Sequence, residues 1–217
     1  MNRVAIGLGQ WNGGGKGFIM SGSGGCTVTG ESVTRCPVTI SRYVSRVVLR
    51  SITNRLPAAY GYFTIKRIML TNAVASQSIG GDAPEAAWEN PMGQYNASES
   101  SACTVRNAEM SLPSGYQQTI PIRLYTYPNS TAADRFAPDA SFTPRYTRMV
   151  ICAVIGGKTC YYPISLPGLE RNTTYDVSVT VWHAGSDNPE EPVSPAYISV
   201  NVTAGEWHTG PDIVENL

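Results

Sequence analysis

The sequence has little charge. Asp, Glu, Lys and Arg together make up 15% of its 217 residues, whereas about a quarter is usual in soluble domains. The 16 basic residues are dispersed and are balanced by 16 acidic ones. Recognition of nucleic acid needs a basic stripe that neutralises phosphates. We therefore expect no nucleic-acid partner.

Long apolar runs are also missing. No run reaches the roughly 18 residues that a membrane-spanning helix needs. The first 20 residues lack the basic and then apolar layout of a secretory signal. If the protein is exported, we expect its signal to lie outside this chain.

The cysteine pattern gives no metal or redox motif. The five cysteines never occur as a Cys-x-x-Cys pair, which argues against a zinc ribbon or a thioredoxin-like site. Cys152 and Cys160 flank a predicted hairpin, but their spacing does not place them opposite each other. We expect the cysteines to be buried apolar residues, and the sequence leaves their disulfide state open.

Catalytic and cofactor signatures are absent or incomplete. Gly7-Leu8-Gly9 opens like a dinucleotide fingerprint, but Asn12 stands at the third glycine position and no helical pattern follows. His183 and His208 have no partners that the sequence places beside them, and no Gly-x-Ser-x-Gly motif occurs. We therefore expect no enzyme, no cofactor and no metal site.

What the sequence has in quantity is glycine, proline and tyrosine (21, 15 and 12 residues), a composition that is typical of short strands joined by turns. Alternation of apolar and polar residues is clearest in 173–182 and 196–204, and it predicts strands with one buried face. Gly156-Gly157 predicts a tight hairpin. Further strands are predicted at 37–53, 60–70, 119–127, 148–155 and 158–166, whereas 72–104 is predicted to be a long surface excursion.

Short antiparallel strands at such spacing predict an all-β protein built as a β-sandwich. The most plausible domain boundary lies near 113–118. We therefore predict two tandem domains, 1–115 and 116–217, of which residues 1–35 are glycine-rich and partly flexible.

Several segments resemble Bacteroides-type (type V) fimbrillins, and the resemblance extends over residues 18–212. Segments 36–47 and 63–72 resemble the first two core strands of that family. The turn at 125–130, the tyrosine-rich strand at 158–164 and the Arg-Asn-x-x-Tyr strand entry at 169–175 follow in the family's order. The loop 185–193 and Trp207 complete the series.

This resemblance implies two transthyretin-like (Greek-key) β-sandwich domains in a fimbrial or pilus subunit. Family members are exported to the outer membrane as lipoproteins, and an arginine-directed protease removes their first strand. The exposed groove then takes a strand from a neighbouring subunit, which is β-strand addition. The expected partners are other fimbrial subunits and a surface ligand, with membrane contact only through a lipid anchor that this chain lacks.

The resemblance also suggests where these functions lie in this sequence. Arg3 is a candidate relic of the processing site. The candidate donor-strand segment contains Asp212, Ile213, Val214 and Leu217. The candidate groove-lining strand contains Val38, Ile40, Val44 and Val48.

Two other functions stay open. The chain could be a secreted β-sandwich that binds carbohydrate or protein on its own, in which case exposed aromatic residues such as Trp11, Trp88 and Trp182 are candidate contacts. A glycosidase would need two carboxylates that face each other across a cleft, and no such pair is evident among the acidic residues.

Overall fold

The structure is a computed structural model that describes residues 5–7, 18–27, 30, 36–78, 88–91, 103–131, 145–166 and 168–207. Within these residues it contains strands and a single turn of 3-10 helix at Ala58–Tyr60, and no helix there is long and apolar enough to cross a membrane. The strands are β1 (Ala5–Gly7), β2 (Met20–Ser21), β3 (Ser41–Arg42), β4 (Ser45–Asn54), β5 (Phe63–Thr71), β6 (Ala73–Val74), β7 (Ser76–Ser78), β8 (Trp88–Glu89), β9 (Val105–Leu112), β10 (Gln117–Thr126), β11 (Thr147–Ile155), β12 (Lys158–Leu166), β13 (Thr173–Val181) and β14 (Ile198–Glu206).

Two four-stranded sheets form the body of the protein. The first has the order β10-β4-β13-β14, and the second has the order β12-β11-β5-β9. The neighbours β4 and β13 are parallel, whereas all other pairs in the two sheets are antiparallel. The predicted all-β sandwich is confirmed.

The main core lies between these sheets and draws on both halves of the sequence. Val47, Ile65, Ile151 and Val177 belong to one continuous buried cluster. The predicted boundary between domains 1–115 and 116–217 is therefore wrong. β4 and β5 cannot close a sandwich of their own, because each lies between strands of which at least one comes from the second half.

The predicted hairpin is confirmed. β11 pairs with β12 over its whole length, from Thr147 opposite Leu166 to Ile155 opposite Lys158. The two residues between them, Gly156 and Gly157, have φ angles of 54° and 79°, which is the conformation of a type I′ turn and suits glycine.

Strand β9 is not evident from the sequence. It is one of the two edge strands of the second sheet, and only Leu112 among its residues is buried. One face of β9 is exposed to solvent, and the other contacts the core through small or flexible side chains such as Ala108 and Met110. The alternation of apolar and polar residues in its sequence is therefore weak. The predicted surface excursion 72–104 is also partly structured, since Ala73, Val74 and Asn90 are buried.

Candidate functional site: an open strand edge and an N-terminal arm

Strand β14 forms one edge of the first sheet. In its pairing with β13, Val200 lies opposite Val179 and Val202 opposite Val177. Directly opposite residues point to the same face of a sheet, so Val200 and Val202 face the side on which their partners enter the core. Val177 and Val179 are 0% and 2% exposed, whereas Val200 and Val202 are 36% and 39% exposed. The apolar face of β14 is therefore uncovered.

The alternation in 196–204 predicted a strand with one buried face. The strand is confirmed, but the predicted burial is wrong, because all residues in 199–206 are exposed. Of the apolar residues in β14 only Ile198 packs against the main core. The pattern of a buried strand is present, but the second sheet does not extend over it.

The outer edge of β14 has few of the features that protect natural strand edges, and its one charge is at the last residue, Glu206. Such edges usually carry charges, prolines or bulges that prevent pairing with another chain. Residues 198–205 contain neither charge nor proline, and within the described part of the chain β14 pairs only with β13. Its outer backbone N–H and C=O groups therefore form a template for a further strand.

A projecting arm, residues 20–27 and 36–42, lies at the opposite end of the chain. Met20 pairs with Arg42 and Ser21 with Ser41. The same antiparallel register, continued outward, places Cys26 opposite Cys36, and these two form a disulfide with a Cα–Cα distance of 5.2 Å. Residues 22–27 and 36–40 are all exposed. The arm is therefore an extended ribbon that is closed by a disulfide.

Glycine is required on one side of the arm. A Cβ atom at Gly22 would overlap the carbonyl oxygen of Thr39, and one at Gly24 would overlap that of Pro37, whereas Gly25 has open space around it. The sequence predicts that the glycine-rich residues 1–35 are partly flexible. In 22–26 it instead permits two backbone segments to approach closely.

The base of the arm rests on a second, smaller hydrophobic cluster, which also includes the buried Val74 and Tyr127. We call five of its members the anchor cluster: Phe18, Tyr43, Val44, Tyr125 and Trp207. The ring of Phe18 lies 4.6 Å from that of Trp207 and 5.1 Å from that of Tyr125. Trp207 is buried. It follows β14 directly, whereas Phe18 precedes the arm, so the cluster brings together residues from the two ends of the described chain. The anchor cluster therefore fixes the N-terminal segment to the residue that follows β14.

Arginine side chains complete this attachment. The guanidinium groups of Arg42 and Arg46 lie 4.6 and 4.2 Å from the centre of the Trp207 ring, a cation–π geometry. Arg171 donates from Nη2 to the Ser41 Oγ at 2.8 Å and to the Ser41 carbonyl at 3.0 Å. It also lies over the ring of Tyr43. The planar guanidinium group of an arginine can donate hydrogen bonds to several acceptors at once.

The four candidate groove-lining residues do not form one surface. Val38 and Ile40 are 52% and 56% exposed on the arm, whereas Val44 and Val48 are 3% and 0% exposed. The prediction of one strand over 37–53 failed at its start, since regular β4 begins only at Ser45. The prediction that these four side chains line one groove is therefore wrong. The uncovered apolar face lies on β14 instead.

The other candidates lie outside the described residues. These are the processing site Arg3, the donor segment Asp212, Ile213, Val214 and Leu217, and the aromatic residue Trp11.

The five cysteines differ in burial, and Cys152 is half-buried. Cys103 and Cys160 are buried, as expected, whereas Cys26 and Cys36 are exposed and form the disulfide of the arm, so the expectation of burial is wrong for them. Cys152 is not opposite Cys160 but opposite Tyr161. Burial raises the pKa of the Cys152 and Cys160 thiols, so they stay protonated at neutral pH and are weak nucleophiles.

The polar groups beside β14 are paired on the surface. Arg50 forms an ion pair with Asp176 at 2.8 Å, and Arg46 donates to the Thr174 hydroxyl at 2.8 Å. Exposed pairs of this kind contribute little to stability. Backbone pairing and apolar burial are therefore the main interactions that this region offers.

Comparison with known proteins gives a shared fold. No family model matches the sequence, and no curated protein matches it. A candidate cell adhesion protein from Bacteroides eggerthii superposes with a TM-score of 0.60 at 19% identity, over 87% of this chain and 63% of that one. The expected resemblance is confirmed at the level of the fold.

Two further solved structures are similar. One is a candidate cell adhesion protein from Parabacteroides distasonis, with a TM-score of 0.49 and 16% identity over 85% of this chain and 65% of that one. The other is a fimbrilin from Porphyromonas gingivalis, with a TM-score of 0.48 and 18% identity over 77% and 58%. This chain spans less than two thirds of the length of each of the three structures.

Proposed function

We propose that this chain is a structural or adhesive subunit of a bacterial surface fimbria, exported to the cell surface, and that it assembles by β-strand addition. The observation that carries this proposal is the uncovered face of β14, where Val200 and Val202 are more than a third exposed. The fold shared with a candidate cell adhesion protein supports it. The role is binding rather than catalysis.

A strand added at β14 would satisfy two requirements together. Its backbone would pair with the free edge, and its side chains would cover Val200 and Val202. Completing the burial of each valine contributes on the order of 1 kcal/mol. Because the donor and acceptor surfaces differ, repeated contacts of this kind build an open fibre rather than a closed ring.

The occupant that we propose is a strand from another subunit in which β-branched residues alternate with polar ones. Residues 212–217 of a second copy are one candidate source. The anchor cluster would hold the N-terminal arm and the residue that follows β14 in place while the added strand binds to the β14 edge.

A peptide of alternating valine and threonine, nine residues long like β14, tests this proposal. It should raise the melting temperature of the wild-type chain, because a ligand that binds only the folded state stabilises it. The double variant Val200→Asp, Val202→Asp should fold, since both positions are exposed, but should lose this shift. Asn201→Asp, on the opposite face, is the matched control and should keep it.

Equal shifts for the wild type and the double variant would overturn the proposal. So would a chain that stays monomeric beside full-length partner subunits and gains no stability from any peptide. That result would favour a stand-alone binding module.

A further inference from the structure

Among the residues that the structure describes, the exposed aromatic side chains are concentrated at one end of the sandwich. Among the described residues, the large apolar side chains that are exposed fall into three groups. Met20, Val38 and Ile40 belong to the arm, and Val200 and Val202 to β14. The remaining five are all tyrosine or tryptophan, and they lie at this end: Tyr60 (41% exposed), Tyr62 (62%), Tyr116 (64%), Trp182 (38%) and Tyr197 (43%).

Strand register brings these five residues together. In the first sheet Asn54 lies beside Val181, and Val181 beside Ile198. In the second sheet Phe63 lies opposite both Ile155 and Leu112. The connections 55–62, 113–116 and 182–197 therefore all emerge at the same end, which we call the aromatic pole.

Backbone hydrogen bonds hold the connections side by side. The amide of Asn54 donates to the carbonyl of Tyr116 at 2.8 Å, and that of Arg55 donates to the carbonyl of Val181 at 2.7 Å. The amide of Trp182 donates to the carbonyl of Tyr197 at 2.9 Å. The row Tyr116, Arg55, Trp182 and Tyr197 thus crosses the end of the first sheet with its main chain fixed.

The chemistry of this surface differs from that of the other two exposed patches. Each of its five aromatic side chains combines an apolar ring face with a polar O–H or N–H. The ring of His183 adds a further polar group, since it lies 4.8 Å from that of Tyr197. The exposed charged residues of the three connections are Arg55, Asp187 and Glu191, and Lys158 follows the β11–β12 turn at the same end. Glu190 is buried. Because neither sign of charge is in excess, the surface favours a neutral ligand over a charged one.

The size of the patch indicates the class of ligand. With about 150–250 Å² for each aromatic side chain, the exposed parts of the five add up to roughly 500 Å². One partner in a standard protein–protein interface contributes about 800 Å². The aromatic pole is therefore small for a protein interface and adequate for a small or linear ligand.

We propose that the aromatic pole binds a neutral carbohydrate. The C–H faces of pyranose rings would stack on exposed rings such as Trp182 and Tyr116. The tyrosine hydroxyls, the indole N–H and His183 would exchange hydrogen bonds with sugar hydroxyls. This inference is independent of assembly at β14, because it uses a different surface.

A glycan array of neutral glycans terminating in mannose, galactose or N-acetylglucosamine, with sialylated and sulfated glycans beside them, is the first measurement. We expect binding to neutral glycans. Titration with the best neutral glycan should then show at least tenfold weaker binding for Trp182→Ala and for Tyr116→Ala. Tyr116→Phe keeps the ring face and should lose less affinity than Tyr116→Ala.

The double variant Val200→Asp, Val202→Asp is the control. It should bind the glycan like the wild type while it loses the response to the strand peptide, and Trp182→Ala should behave in the opposite way. Circular dichroism confirms that each variant is folded.

Three results would overturn the inference. They are binding to no neutral glycan, binding to charged glycans alone, and wild-type affinity in both alanine variants. None of them bears on strand addition at β14, so the two proposals can fail separately.

Discussion

Val179 and Val200 lie directly opposite each other across the β13–β14 pair and point to the same face of the sheet, yet the first is 2% and the second 36% exposed. The boundary of the sandwich core thus passes between two adjacent strands of equal apolar character. One valine stabilises the fold, whereas the other is available to a partner.

This pair predicts that the same substitution, valine to alanine, destabilises the protein at one position and has little effect at the other. Val179→Ala should lower the free energy of unfolding by about 1–3 kcal/mol, since it removes buried methyl groups and leaves a cavity. Val200→Ala should change it by less than about 0.5 kcal/mol, as surface substitutions usually do. Urea denaturation of the isolated chain measures both. Similar losses would mean that β14 is covered in solution.

The arm predicts a contrast between neighbouring glycines. Gly24→Ala should force the two sides of the arm apart, because the new methyl group would overlap the Pro37 carbonyl, whereas Gly25→Ala should be tolerated. Hydrogen exchange of the amides in 36–42 should become faster only in the first variant. Unchanged exchange in Gly24→Ala would contradict the close pairing.

Arg171 is expected to hold the base of the arm. Arg171→Ala removes its hydrogen bonds to Ser41 and its contact with the Tyr43 ring. Arg171→Lys keeps the charge but cannot reproduce the planar fork. Both variants should make residues 20–24 more susceptible to proteolysis, while Arg123→Ala on the exposed face of β10 serves as the control. Full protection in Arg171→Lys would show that charge alone suffices.

Tyr127 predicts a loss of stability at high pH. Burial raises its pKa to about 12, against about 10 in the unfolded chain. Because the folded-state pKa is the higher one, the stability linked to the protonated phenol is fully present below about pH 10 and is lost as the pH rises towards 12.

Tyr127→Phe isolates this effect. The hydroxyl of Tyr127 has no hydrogen-bond partner among the described residues, and a buried polar group without a partner costs about 1–3 kcal/mol. The variant should therefore be at least as stable as the wild type at pH 7. It should also lose less stability between pH 10 and 12, as measured by urea denaturation at each pH. Identical pH dependence in the two proteins would contradict the assignment.

Local signals in the sequence determined most of the strands. Alternating Tyr175, Val177, Val179 and Val181 predicted β13, and Gly156-Gly157 predicted the β11–β12 turn, because side-chain period and turn conformation depend on near neighbours. The disulfide of the arm was not predictable in the same way. It depends on the strand register that the pairing of Met20 with Arg42 sets, and the spacing of the cysteines in the sequence does not reveal that register.

Only the tertiary structure decided which strands share a sheet and which apolar face is covered. β4 and β13 pair although a contact such as Arg46–Thr174 spans 128 positions, and no local pattern selects that partner. The alternation in β14 is as regular as that in β13. Both sheets hold four strands, so whether the second sheet lies over β14 depends on how the two sheets are aligned, and that is a property of the whole chain.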